Sequence, residues 1–200
     1  KQAQDYIFDK KLPYWIIYRD AEFDSVCKQL DFNVFTVFRD RQITNKLLSD
    51  AGDIRVLKSR NISDDGKEVI DIDGYDSYIS SSEARSLSVY EYLYREDVYL
   101  TPNMTYKPRM MRKPKDTLVN GSLAILVPKG RIIPTEAQLE YFSTQQYRDF
   151  YQVARNYQTR SLNVDACSVF FYGLLRKNEK DVPITEKLDE HENVQISMFN

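Results

Sequence analysis

Hydrophobic periodicity changes once along this chain, at Thr135, and that change limits the folds open to it. Before Thr135 the apolar residues come in short runs: Val34 to Phe38, Ile54 to Leu57, Val69 to Ile72, Val98 to Leu100 and Leu118 to Val127. Asp-Gly, Pro-Asn and Asn-Gly dipeptides, which favour turns, lie between them. After it, Leu139, Phe142, Tyr147, Phe150, Tyr151 and Ala154 recur at helical spacings across two linked helices that part near Ser143. Short runs joined by turns build a sheet, whereas sustained helical spacing builds amphipathic helices. The expectation is an α+β fold, a curled mixed or antiparallel sheet with helices at its C-terminal end.

Upstream of the first run, Tyr14, Trp15, Ile16, Ile17 and Tyr18 read as an aromatic strand or arm, and Glu22 to Leu30 has the spacing of a short helix. A chain of 200 residues can bury one proper core. We read residues 1–33 as an arm and helix at the junction with a neighbouring domain, 34–177 as the domain proper and 178–200 as an acidic, solvated tail. Lys1 stands where an initiator Met is expected, so the chain reads as part of something longer.

The inventory of reactive groups is thin. No apolar run approaches the about eighteen residues of a membrane span and no signal-peptide pattern opens the chain, so a soluble, cytoplasmic protein is expected. Cys27 and Cys167 stand alone as reduced thiols, with no C-x-x-C pair to suggest zinc or a disulfide framework. The six glycines form no G-x-G phosphate cradle. The one histidine, His191, sits in the acidic tail and offers no base to a Ser-His-Asp or Cys-His arrangement. A metal-dependent nuclease site can be drawn from Asp53, Asp65 and Lys67, but Asp64-Asp65-Gly66-Lys67 is also an ordinary hairpin turn, the reading we prefer. Catalysis by this chain alone is not expected.

Charge is segregated rather than absent. Residues 62–98 carry ten acids against three bases, whereas 101–131 carry seven bases against Asp116 alone, so one basic face is expected. Three donor-rich blocks interrupt the apolar pattern. Arg39 to Lys46 follows the Val34 run, with Lys58-Ser59-Arg60-Asn61 closing the next one; arginine, glutamine and asparagine there suit base edges. A solvated loop in which Asp40 pairs its neighbours explains the same composition. Thr101 to Lys115 is basic and proline-stiffened, as a loop that tracks phosphates would be, or a flexible solvated one. Arg155 to Asp165 ends the helical stretch and offers either base contacts or local helix-end hydrogen bonds.

Taken in order, RDRQITNK, RVLKSRNI, PNMTYKPR, VNGSLAIL and ARNYQTRSLNVD resemble the C-terminal target-recognition region of adenine-specific methyltransferases from type IIS restriction-modification systems, the subfamily associated with GTCTC-type sites. The likeness covers residues 35–173, and type I specificity-subunit target-recognition domains are more distantly similar. The resemblance implies a bacterial S-adenosylmethionine-dependent enzyme that methylates the exocyclic amino group of adenine in double-stranded DNA. The cofactor loop and the Asn-Pro-Pro-aromatic motif of that family are absent from this sequence, so the cofactor would belong to an upstream methyltransferase domain and none to this chain. Carried over, Arg39, Arg41, Gln42, Asn45, Arg60, Asn61, Gln158 and Arg160 are base-edge candidates. Lys46, Lys58, Lys107, Arg109, Lys113 and Lys115 are phosphate candidates. The rival readings are a DNA-cleaving domain and a structural or RNA-binding module.

Overall fold

The computed structural model describes residues 2–158 and 162–176. In chain order the first half contains α1 (Gln2–Ile7), α2 (Ala21–Gln29), β1 (Leu30–Asp31), β2 (Phe35–Phe38), β3 (Ile54–Leu57), β4 (Ser77–Ile79) and α3 (Ser81–Ala84). The second contains β5 (Tyr99–Pro102), β6 (Met111–Arg112), β7 (Thr117–Val119), β8 (Leu123–Pro128), α4 (Glu136–Tyr141), α5 (Gln145–Ala154) and β9 (Leu174–Leu175).

Strand β8 explains the architecture. Leu123, Ala124, Ile125 and Leu126 are all fully buried, and alternate residues of a strand point to opposite faces, so this strand needs a layer on each side. Leu123 and Ile125 join Val56, Leu57, Leu100 and Leu118 in one core; Ala124 and Leu126 join Tyr99, Phe142, Tyr147 and Phe171 in another. The central layer is the antiparallel sheet β2-β8-β5-β6. A three-stranded sheet, β4-β3-β7, covers one face, with β3 antiparallel to β4 and parallel to β7. Helices α2, α4 and α5 cover the other, beside the short pair β1-β9. The fold is α+β with open antiparallel and mixed sheets, as the change of period predicts.

The helical layer follows from spacing and caps. Thr144 accepts the Tyr147 amide to start α5, and Thr135 with Gln138 forms a capping box on α4, so the break near Ser143 falls where expected. Tyr147, Phe150, Tyr151 and Ala154 share one stripe and are buried. Phe150 stacks on Phe23 of α2 at 4.9 Å, which ties the N-terminal helix into this core. Two buried tyrosines of this core are satisfied at their tips: Tyr151 donates to the Asn163 carbonyl at 2.9 Å, and the Tyr172 hydroxyl meets Thr101 at 3.1 Å.

Two strand expectations differ from the structure, and for Tyr14 to Tyr18 the arm alternative holds. The Leu118 to Val127 run is two strands, because the Asn120-Gly121-Ser122 turn sends β7 and β8 into different sheets. Val69 to Ile72 is no strand; only Val69 pairs, in a single bridge to Ile62, while the Asp76 carboxylate takes the Ile72 amide instead. Tyr14 to Tyr18 forms an arm without strand pairing: Ile16 is buried while Trp15, Ile17 and Tyr18 are exposed. Asn156 holds that arm, accepting the Ile17 amide and donating to the Trp15 carbonyl. Among the described residues no helix is long and apolar enough to cross a membrane.

Candidate nucleic-acid interface

Strand directions bring the donor-rich blocks to one end of the sheets. Strands β2, β3, β5 and β7 finish there, and β8 begins there, because β8 runs antiparallel to β2 and β5 while β7 runs parallel to β3. The Asn120-Gly121-Ser122 turn lies at the centre. The Ser59 amide donates to Ser122 Oγ at 3.0 Å, and the Asp40 carbonyl lies so close to Gly121 that a Cβ there would meet it at 2.8 Å. Asn103 joins the third block: its Nδ2 donates to the Gly121 carbonyl at 3.3 Å and its Oδ1 accepts the Val164 amide at 3.2 Å. Residues near positions 40, 59, 103, 121 and 164 thus form one surface.

Gly121 makes that approach possible, since glycine has no Cβ. Gly121→Ala is expected to cost about 1–3 kcal/mol, the range for forced overpacking. Urea denaturation checks this, and an unchanged midpoint would show that the Asp40 loop yields freely.

Buried polar groups rivet these loops. Asp40, 3% exposed, accepts the Gln42 amide at 3.2 Å and the Ile43 amide at 2.8 Å, so it shapes its own loop instead of pairing neighbouring side chains. Tyr75 is the platform of the Lys58-Ser59-Arg60-Asn61 segment: Lys58 Nζ sits 3.9 Å from its ring centroid and the Arg60 guanidinium 4.8 Å. Lys58 also donates to the Tyr75 carbonyl and to Ser77 Oγ, and burial lowers its pKa from the usual lysine value. Neither Tyr75 nor Asn103 carries a sequence signal beyond its place beside a turn, and Asn120-Gly121 reads only as a turn.

Several predicted contacts point inward. Asn61 is fully buried; its Nδ2 donates to the Ile70 carbonyl and Asp76, and its Oδ1 accepts the Lys58 amide. Arg109, expected on phosphate, is 7% exposed and donates to the carbonyls of Ser59, Ile62 and Lys107 and to Thr105 Oγ1. Lys113 is 1% exposed and donates to the Leu93 and Pro114 carbonyls. These three are corrections: a buried side chain whose donors are turned to acceptors inside the fold has none to offer DNA without unfolding it. The Thr101 to Lys115 segment is also not one continuous loop. It is the β5–β6 hairpin, so Lys107 lies at its tip while Lys113 and exposed Lys115 return to the opposite end of the sheet.

The remaining candidates differ in access. Arg41, Arg60 and Lys107 are exposed at the gathered end, and Arg39 and Lys58 are half-buried there. Gln42 is exposed, but its Oε1 accepts the Ser88 amide at 2.7 Å, leaving only its NH2 end for a base. Asn45 and Lys46 are exposed on a 3-10 turn, Asn45–Leu47. Gln158 is exposed just past α5, and Arg160 lies outside the described residues. Within the same block Arg155 pairs with Asn163 and Asp165.

Folding also brings opposite charges together. Lys107 meets Asp64 at 2.6 Å, both well exposed, and the lysine's hydrogen bond lowers the carboxyl pKa. Such a pair is worth little in water, so Lys107 can exchange it for phosphate. Asp53 takes the Ser81 amide, Asp65 takes Ser63 Oγ and the Lys67 amide, and Lys67 Nζ pairs with Glu140. Asp65 thus closes its own turn, while Asp53 and the Lys67 ammonium are bound elsewhere. Among the described residues no group of three or more His, Cys, Asp or Glu is placed to hold a metal. No protein-family model matches the chain, and neither does any curated protein.

Proposed function

We propose that this chain is a sequence-reading module for double-stranded DNA, serving an S-adenosylmethionine-dependent adenine methyltransferase of a bacterial, cytoplasmic restriction-modification system. The observation that carries the reading is the gathering of three donor-rich blocks, far apart in sequence, around the Asn120-Gly121-Ser122 turn. Arginines on rigid loops suit guanine edges, because base readout demands positional precision that phosphate attraction does not. Here Arg60 is braced on Tyr75 and Arg41 follows the Asp40 turn. In this reading the cofactor and the methyl-transfer chemistry belong to a separate catalytic domain of the same protein, which receives an adenine rotated out of the duplex.

The test is selection of duplexes from a randomised pool, followed by competition titration at fixed salt. Arg41→Ala and Arg60→Ala are each expected to cost about 1–3 kcal/mol on the selected duplex and little on random DNA. Lys107→Ala is expected to weaken both alike and to reduce the salt slope by about 0.9. Equal affinity for duplex, single strands and RNA would overturn the assignment in favour of a general nucleic-acid or structural module.

A further inference from the structure

We infer that Met104 and Tyr106, at the tip of the β5–β6 hairpin, form an apolar wedge that enters a base step of the bound duplex; the inference rests on the DNA-reading function proposed above. Met104 is 66% exposed and Tyr106 61%, although both stand in the middle of the polar end. Met104 has φ 67°, a left-handed backbone conformation that residues other than glycine, asparagine and aspartate seldom adopt.

The loop that presents them is held from both sides. Thr105, between the two, pairs its backbone with Leu162 in both directions, at 2.9 and 2.7 Å. Its Oγ1 accepts the Lys107 amide at 3.1 Å and an Arg109 guanidinium N–H at 3.2 Å. Asn103 before the tip and Pro108 after it are buried. Polar groups of the tip are therefore spent on fixing the loop, while its two large apolar side chains are left outside either core. The flanking charges are Lys107 and its exposed partner Asp64, 2.6 Å away, a pair that Lys107 can exchange for phosphate; through the Arg109 bond to the Ser59 carbonyl the tip is tied to the turn that carries Arg60. Within a duplex the large apolar surface available to such side chains is the face of its stacked bases, the thymine methyl groups of the major groove being far smaller. Apolar side chains inserted at a base step unstack it, and aromatic rings stack on the exposed face. A rigid tip loses little freedom on insertion.

The experiment uses the full chain and a duplex recovered by selection, with 2-aminopurine placed at successive positions. On saturating binding, fluorescence at one step is expected to rise several-fold as its stacking is lost. The Met104→Ala/Tyr106→Ala double variant should keep its affinity for random duplex and its salt slope, yet leave fluorescence at the level of free DNA. Because both side chains are exposed, its circular dichroism and melting should match the parent. Saturation without a fluorescence rise at any position overturns the wedge and leaves the DNA-reading function standing. Absence of duplex binding overturns both. A parent that sediments as a dimer while the double variant is monomeric would make the tip a self-contact, which also overturns the wedge.

Discussion

Replacing Arg109 by alanine is expected to destabilise the protein by about 3 kcal/mol or more, because one buried and three part-buried hydrogen bonds to a charged donor are lost at once. The guanidinium reaches the carbonyls of Ser59 and Ile62 at 3.1 Å each, the Lys107 carbonyl at 3.0 Å and Thr105 Oγ1 at 3.2 Å. Its fork thus ties the β5–β6 hairpin to the turn after β3. Burial lowers its pKa from the usual arginine value, with Asp64 opposing, but arginine remains cationic at neutral pH. Water entering the vacated space would recover part of the loss, so the penalties do not simply add. For a domain of this size the melting temperature should fall by roughly 6–12 °C. Arg109→Lys should rescue little, since a single ammonium cannot reproduce the planar fork. Urea titration is the check; a loss under about 1 kcal/mol would show that these carbonyls find other partners.

Lys113 should behave in the opposite sense. Its burial follows from strand alternation: Met111 points into the sheet-side core, Arg112 outward, and Lys113 inward again, with its amide on the Val98 carbonyl. Among the described residues no carboxylate pairs with it, and burial pushes its pKa down from 10.5 to about 8. Below that value the folded and unfolded chains both hold the proton, so this group adds no slope. Between about 8 and 10.5 the unfolded chain keeps the proton while the folded one releases it, and stability rises with pH. The full rise is roughly 3 kcal/mol at most. It should be read between pH of about 8 and 9, because above that Cys27, which burial raises to about 12 in the folded state, and then the tyrosines ionise in the unfolded chain and act in reverse. Burial raises Tyr141 and Tyr172 to about 12 in the folded state. Lys113→Met should abolish the slope and leave the protein at pH 7 unchanged or up to about 3 kcal/mol more stable. Both acceptors keep another donor, since Leu93 O also takes the Asp116 amide and Pro114 O takes Thr117 Oγ1. A variant clearly less stable than the parent at pH 7 would show that the ammonium is a net stabiliser, and one retaining the slope would show that another group carries it.

Much of the fold was legible because backbone geometry writes itself into local spacing. The runs at 34–38 and 54–57, the helical stripe from Leu139 to Ala154 and the break at Ser143 all have local causes: alternation, helical period and a threonine cap. The chemistry of the donor blocks was legible for the same reason, since polar residues must follow where a buried strand ends. Their exposure was not. Arg109 and Lys113 look like two members of one basic loop, but what each touches is set by residues 47 and 50 positions away for the first and 20 for the second. Charges segregated along the chain are likewise rejoined in part by the fold, since a contact spanning 43 positions sets Asp64 against Lys107. The sequence by itself determined period, caps and the kinds of donors available. Only the tertiary structure decided which donors face out, because a hydrogen bond goes to the nearest acceptor in space, and strand order rather than chain order sets which acceptor that is.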